Sequence, residues 1–207
     1  MSRLTCFFDV ASPYCWFAFE ELLKSVPKHN ASLNFVPVHA ASIMTSIGHK
    51  MPFYEKALRD YTFYDAKVQG RRHGLEIEIP DDAFEKLSNI GTFSAQRFLA
   101  AVKALDSGKY EDAARETWRR LWAENLGIHT DEDFFEIANK LNLSPEILNT
   151  LSDDKWTTAV VENNKSAIEL NCFGVPWMNV TNQSDNNAVF FGSDRLPFVY
   201  KFLNSNF

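Results

Sequence analysis

A serine placed where a strand gives way to a helix can handle an anion, and Asp9-Val10-Ala11-Ser12-Pro13-Tyr14-Cys15-Trp16 carries that arrangement. Helix N-termini expose unpaired N–H groups and partial positive charge, and a thiolate held there has its pKa lowered. Ser12 can donate its hydroxyl hydrogen to such a thiolate, brought by a bound ligand. The same Ser-Pro pair also fits a plain helix cap, and the local sequence leaves both readings open. Two further stretches could meet a ligand. In Phe173-Gly174-Val175-Pro176-Trp177, Gly-hydrophobic-Pro before a β-like run suits a cis proline, which frees the backbone of Val175 to face a ligand. A trans proline opening an edge strand is the alternative. In Phe190-Phe191-Gly192-Ser193-Asp194-Arg195, glycine allows close backbone approach and Ser193 can cap a helix. The N–H groups there can hold a carboxylate and Asp194 an ammonium, or the pair is a simple cap.

Other reactive side chains read as structural. Cys15 stands where the second cysteine of a C-x-x-C would be, with Ser12 in place of the attacking one. A lone thiol there is expected to pack rather than react, as are Cys6 and Cys172. No histidine pairs at metal-ligand spacing, so no metal is expected. Arg71-Arg72-His73 reads as a solvated basic face, with an anion contact as the alternative, and Trp118 and Trp122, four apart, as core.

The elements that must position these residues follow from periodicity. Leu4 to Val10 is apolar on both faces, as in a central strand. Tyr14 to Lys24 turns apolar Phe17, Phe19, Leu22 and Leu23 inward, which predicts a helix with Pro13 just inside its start. Ser32 to Val38 alternates, with Pro37 marking an edge or a strand end. Helical patterns then dominate: Phe93 to Val102, Trp118 to Trp122, a helix capped at Thr130 before Asp131-Glu132-Asp133, another opened by Ser144-Pro145, and one from Asp153 into Leu170. The tail reverts to strands at Trp177 to Thr181 and Ala188 to Phe191, joined by a polar turn, before a last helix from Arg195 to Leu203. The layout is α/β, βαβ…ββα: a small mixed-sheet domain interrupted by an all-helical insertion that needs a core of its own, which its Trp- and Phe-rich faces supply.

Composition narrows the functions. The 207 residues include 18 Phe and 5 Trp, enough for a bulky core or an aromatic-lined pocket. The formal net charge of −6, without a dense Lys/Arg run, makes nucleic acid and anionic membrane surfaces poor partners. No stretch approaches the roughly 18 apolar residues of a membrane span. Neither end carries a legible targeting signal, and three cysteines without a close pair fit a reducing compartment, so an intracellular protein is expected.

The order of these signals resembles kappa-class glutathione transferases, a DsbA-like branch of the thioredoxin superfamily related to 2-hydroxychromene-2-carboxylate isomerase. The resemblance rests on Phe7 to Trp16, Ser42-Ile43-Met44, Gly91-Thr92-Phe93-Ser94-Ala95-Gln96-Arg97-Phe98-Leu99, Phe173 to Pro176, and Phe191 to Arg195. It covers nearly the whole chain. It implies a thioredoxin-like glutathione-binding domain over residues 1–48 and 165–207, and a helical domain over residues 49–164 that forms the electrophile pocket. It implies Ser12 as the catalytic serine that hydrogen-bonds the glutathione sulfur, Val175 and Pro176 beside the cysteinyl part, and Ser193 and Asp194 at the γ-glutamyl end. The pattern departs from the family where Gly48-His49 replaces the usual Gly-Asn, leaving His49 as the candidate there. It departs again where the lysine for the glycyl carboxylate has no clear counterpart, leaving Arg59 or Lys56 nearby. The family motif usually ends in serine where Cys15 stands.

The resemblance further implies glutathione as co-substrate with no cofactor, a small electrophilic substrate, a homodimer, and mitochondria or peroxisomes as compartment. Conjugation needs only a thiol of pKa about 8.5 shifted by one to two units, about 1.4–2.7 kcal/mol. Glutathione-dependent isomerisation of aromatic degradation products, and a non-catalytic glutathione- or protein-binding module, share the same motifs. A serine nucleophile is disfavoured, because no base is placed beside Ser12.

Overall fold

The computed structural model describes residues 1–205. Strand β1 (Ser2–Phe8) leads into helix α1 (Pro13–Ser25), then strand β2 (Ala31–Pro37). A helical stretch follows: α2 (Ala40–Ser46), α3 (Lys56–His73), α4 (Ala83–Glu85) running into a wider π-type turn (Lys86–Ile90), α5 (Phe93–Leu105), α6 (Tyr110–Trp122), α7 (Asp131–Leu141), α8 (Pro145–Asn149) and α9 (Asp154–Glu169). Strands β3 (Trp177–Thr181) and β4 (Asn187–Phe191) and helix α10 (Leu196–Leu203) complete it. The sheet order is β2-β1-β3-β4. β1 pairs parallel with β2, Cys6 opposite Phe35, and antiparallel with β3, Cys6 opposite Met178. This is the thioredoxin-like βαβ…ββα order with helices between its halves.

Sequence and structure agree where a local device dictates the element. β1 is central and its Leu4, Cys6, Phe7 and Phe8 are buried, which is why the run lacks alternation. Pro37 ends β2, an edge strand, where no ladder N–H is missed. Thr130 and Asp133 form a reciprocal capping box, Thr130 Oγ1 accepting from Asp133 N–H at 3.2 Å and Asp133 Oδ2 from Thr130 N–H at 2.9 Å. They part at the end of β1. The strand stops at Phe8 because the chain turns on Asp9, whose carbonyl accepts the Ser12 N–H at 3.0 Å. The last helix also starts late: Ser193–Arg195 forms a separate 3₁₀ turn before α10, and the Ser193 hydroxyl makes no cap bond.

The core departs from expectation as well. One cluster of buried side chains runs from the sheet (Leu4, Phe8, Met178) through α1 into the helices (Phe98, Trp118, Phe134). The Trp118 ring lies 5.0 Å from Phe8 and 5.1 Å from Phe19, and the Trp122 indole donates to Val10 O at 2.9 Å. A four-stranded sheet and one short helix leave an open apolar face, and α6 covers it. The helices therefore share the sheet's core. That shared core makes the turn after β1 rigid.

Candidate functional site

Ser12 is the N-cap of α1, and its oxygen accepts the Cys15 N–H at 3.3 Å. The hydroxyl hydrogen is not used by that bond, so capping and donation to a ligand are compatible. Ser12 lines a pit of about 190 Å³ with Val175, Met44, Met51, Phe53 and Phe191. Its wall is mainly apolar, so charges inside it interact strongly.

Asp9 holds this loop in place. Its carboxylate is 1% exposed and accepts four hydrogen bonds. Oδ1 receives Ala11 N–H (2.9 Å), Thr92 Oγ1–H (2.7 Å) and Gln96 Nε2–H (2.8 Å), while Oδ2 receives Ala40 N–H (2.8 Å). The donors come from the loop before α1 and the starts of α2 and α5. A buried carboxylate is tolerated when so many donors meet it. Sequence reading left Asp9, Thr92 and Gln96 as motif letters without roles. A buried acid needs donors, but their positions 83 and 87 residues away have no local signal.

Behind Ser12 the Cys15 thiol is fully buried, and burial holds its pKa well above the ordinary thiol range despite bonds from the Asp9 backbone and Ser12 that act the other way. Burial likewise pushes the Cys172 thiol up to about 11, its Sγ lying 3.3 Å from Gly174 O. Neither is a thiolate at neutral pH. Among the described residues, no group of three or more His, Cys, Asp and Glu could hold a metal ion. No described helix is long and apolar enough to cross a membrane.

The Val175–Pro176 peptide is cis, and Pro176 O accepts the Gly192 N–H at 3.0 Å, tying this loop to the end of β4. Gly192 has φ +97°, a conformation open to glycine, and a Cβ at Gly174 would come 3.0 Å from the Phe191 ring. Both glycines let the loops close on each other. From the pit, past Tyr14, Val175 and Phe191, a cleft of about 620 Å³ extends along Pro176, Ser193 and Asp194. α3 lies beside α1 as its second wall: Tyr14 Oη–H donates to Asp65 Oδ2 at 2.7 Å, and His73 Nδ1 lies 3.4 Å from Glu21 Oε1. Burial, with the Asp65 bond adding to it, raises the Tyr14 phenol above its ordinary range.

The structure thus gathers Ser12, Val175, Pro176, Ser193 and Asp194 along one pit and cleft. It does not bring His49 or Arg59 to the same walls. His49 is exposed in a neighbouring hollow of about 320 Å³ with Lys50, which among the described residues meets the pit at Met51. The Arg59 guanidinium is engaged elsewhere, donating to Phe53 O at 3.0 Å and lying 4.3 Å over the Phe84 ring. Lys56 sits on the surface, paired with Asp60. Arg72 and His73, read as a solvated face, line the cleft.

A family model described as a DSBA-like thioredoxin domain matches residues 3–204. Human glutathione S-transferase kappa 1 is 31% identical over 199 residues, covering 93% of this chain and 87% of that protein. Glutathione S-transferase kappa 1 of Caenorhabditis elegans is 28% identical over 202 residues, covering 96% and 89%. Among solved structures, a 2-hydroxychromene-2-carboxylate isomerase superposes with a TM-score of 0.77 at 19% identity, covering 96% of this chain and 93% of that one.

Proposed function

Since the chain belongs to the DsbA-like thioredoxin family and, within it, to the kappa-class glutathione transferases, we propose that it conjugates reduced glutathione to small electrophiles, with the Ser12 hydroxyl holding the sulfur as its thiolate. The observation that carries this reading is the Ser12 hydroxyl at the start of α1, opening onto an apolar pit while Cys15 is sealed beneath it.

The chemistry is spare. Glutathione lies with its cysteinyl backbone against Val175 and its γ-glutamyl end at Ser193 and Asp194. Its thiol proton passes to water. The thiolate stays in the pit, stabilised by one hydrogen bond to a charged acceptor, about 1.5–3 kcal/mol, and by the α1 N-terminus, about 0.3–1 kcal/mol. Together these cover the one to two pKa units that neutral pH requires, about 1.4–2.7 kcal/mol. The electrophile enters over Met44, Met51 and Phe53. With 1-chloro-2,4-dinitrobenzene as substrate, the sulfur lone pair forms the new S–C bond and chloride leaves with the C–Cl pair. Tight packing and the Asp9 clamp fix Ser12 before substrate arrives, so little reorganisation is needed.

The same reading includes a homodimer. It is supported by α3, where Leu58, Tyr64 and Val68 are exposed apolar side chains that do not line the cleft.

The test is the pH profile of kcat/KM for wild type and Ser12→Ala with glutathione and 1-chloro-2,4-dinitrobenzene. Losing the donor raises the pKa of the bound thiol, so the profile moves to higher pH and the rate near pH 6.5 falls about 10–100-fold. Glutathione affinity changes little. An unchanged profile and rate would leave Ser12 as a helix cap alone, and glutathione binding without turnover on any electrophile would make the protein a binding module.

A further inference from the structure

The cleft is larger than the pit it serves, and its charges are arranged unevenly. α3 presents Tyr61, Asp65, Gln69 and Arg72 along one wall, spaced four, four and three residues apart and therefore on one helical face. The acids in the cleft are all engaged: Glu21 with His73 (3.4 Å), Asp65 with the Tyr14 hydroxyl (2.7 Å) and Asp194 with Arg195 (3.0 Å). His73 is held on its other side too, its ring stacked 5.2 Å from Phe17 at 11°. Among the described residues Arg72 forms no ion pair, although it lines the same cleft as Ser193 and Asp194. Both Arg72 and Arg71 are exposed, but Arg71, one residue away and 100° round the helix, does not line the cleft.

We propose that Arg72 binds the α-carboxylate at the γ-glutamyl end of the thiol substrate and so sets specificity for γ-glutamyl thiols. An α-amino-acid head carries one anion and one cation. Asp194 can take the ammonium, exchanging its exposed contact with Arg195, and a guanidinium suits a carboxylate because two N–H groups meet two oxygens. Arg72 is the cation on the cleft wall with no carboxylate of its own. This assignment rests on the reading of the cleft as the glutathione site.

The test is a chemical double-mutant cycle on the full-length protein. Wild type, Arg72→Gln and Arg71→Gln are each titrated calorimetrically, and assayed with 1-chloro-2,4-dinitrobenzene, using glutathione and 4-aminobutanoyl-cysteinylglycine, which lacks only the α-carboxylate. For glutathione, Arg72→Gln raises Kd and KM about 5–50-fold with kcat at saturation nearly unchanged, and Arg71→Gln matches wild type. For the decarboxylated analogue, Arg72→Gln and wild type bind alike. Equal penalties on both thiols, or none on glutathione, would overturn the role of Arg72 while leaving the site in place. If wild type binds neither thiol, the glutathione reading itself falls and takes this assignment with it.

Discussion

Replacing Asp9 tests whether one buried carboxylate really ties the loop carrying Ser12 to the rest of the molecule. In Asp9→Asn the amide oxygen can sit where Oδ1 sits and still accept from Ala11, Thr92 and Gln96. The NH2 group then faces the Ala40 N–H, which bonds Oδ2 at 2.8 Å. Donor meets donor, so the Ala40 N–H and the new NH2 group are both left unpaired, at about 1–3 kcal/mol each. In Asp9→Ala all four donors lose their acceptor. The Thr92 hydroxyl and Gln96 amide can turn toward other partners, but the N–H groups of Ala11 and Ala40 are fixed by the backbone. Two such groups at about 1–3 kcal/mol each lower stability by about 2–6 kcal/mol, a large part of the roughly 5–15 kcal/mol of an ordinary domain. Urea denaturation at pH 7, followed by far-UV circular dichroism, measures both. Both variants should be less stable than wild type, with unchanged m-values. Turnover should fall in both variants, because the carboxylate holds the Ala11 N–H and Ser12 is the next residue along the same turn. Losses under about 0.5 kcal/mol in both would refute the clamp.

Two further outcomes are expected. Glu116 is nearly buried and would be raised by that burial, but bonds from Arg119 (2.6 Å) and Lys140 (3.0 Å) prevail and hold its pKa below the ordinary range. A carboxyl lowered in the folded state stabilises above its unfolded pKa of about 4.3 and stops doing so as pH falls through the folded value. Glu116→Gln should therefore lower the urea midpoint at pH 7, with the gap closing below about pH 4; a gap that persists at pH 3 would refute this. If α3 is the dimer face, Tyr64→Arg with Val68→Asp should yield a folded monomer by light scattering at micromolar concentration, where wild type gives twice the chain mass. A wild-type monomer would remove the dimer.

The sequence by itself determined the elements and their order, because each has a local cause. The mostly apolar run from Leu4 to Phe8 suits a strand covered on both faces. Ser12-Pro13 is suited to a helix start by its cap oxygen and fixed φ, and Thr130 with Asp133 caps one by contacts three residues apart. The cleft's near wall was legible for the same reason: Ser12, Val175, Ser193 and Asp194 each lie in a short turn that announces itself. Only the tertiary structure decided what those turns face. That Asp9 is clamped by Thr92 and Gln96, that Arg59 is occupied by Phe53 O and the Phe84 ring, and that Arg72 lines the cleft while Arg71 does not, all follow from how α3 packs on α1 and how the start of α5 meets the turn after β1. Those contacts span 50 residues or more in several cases, and burial, which makes a polar group choose its partner, has no sequence period of its own. The shared core is the same lesson: periodicity shows that Trp118 is buried, but the partner it is buried against, Phe8 of the sheet, is set by the apolar face the sheet leaves uncovered.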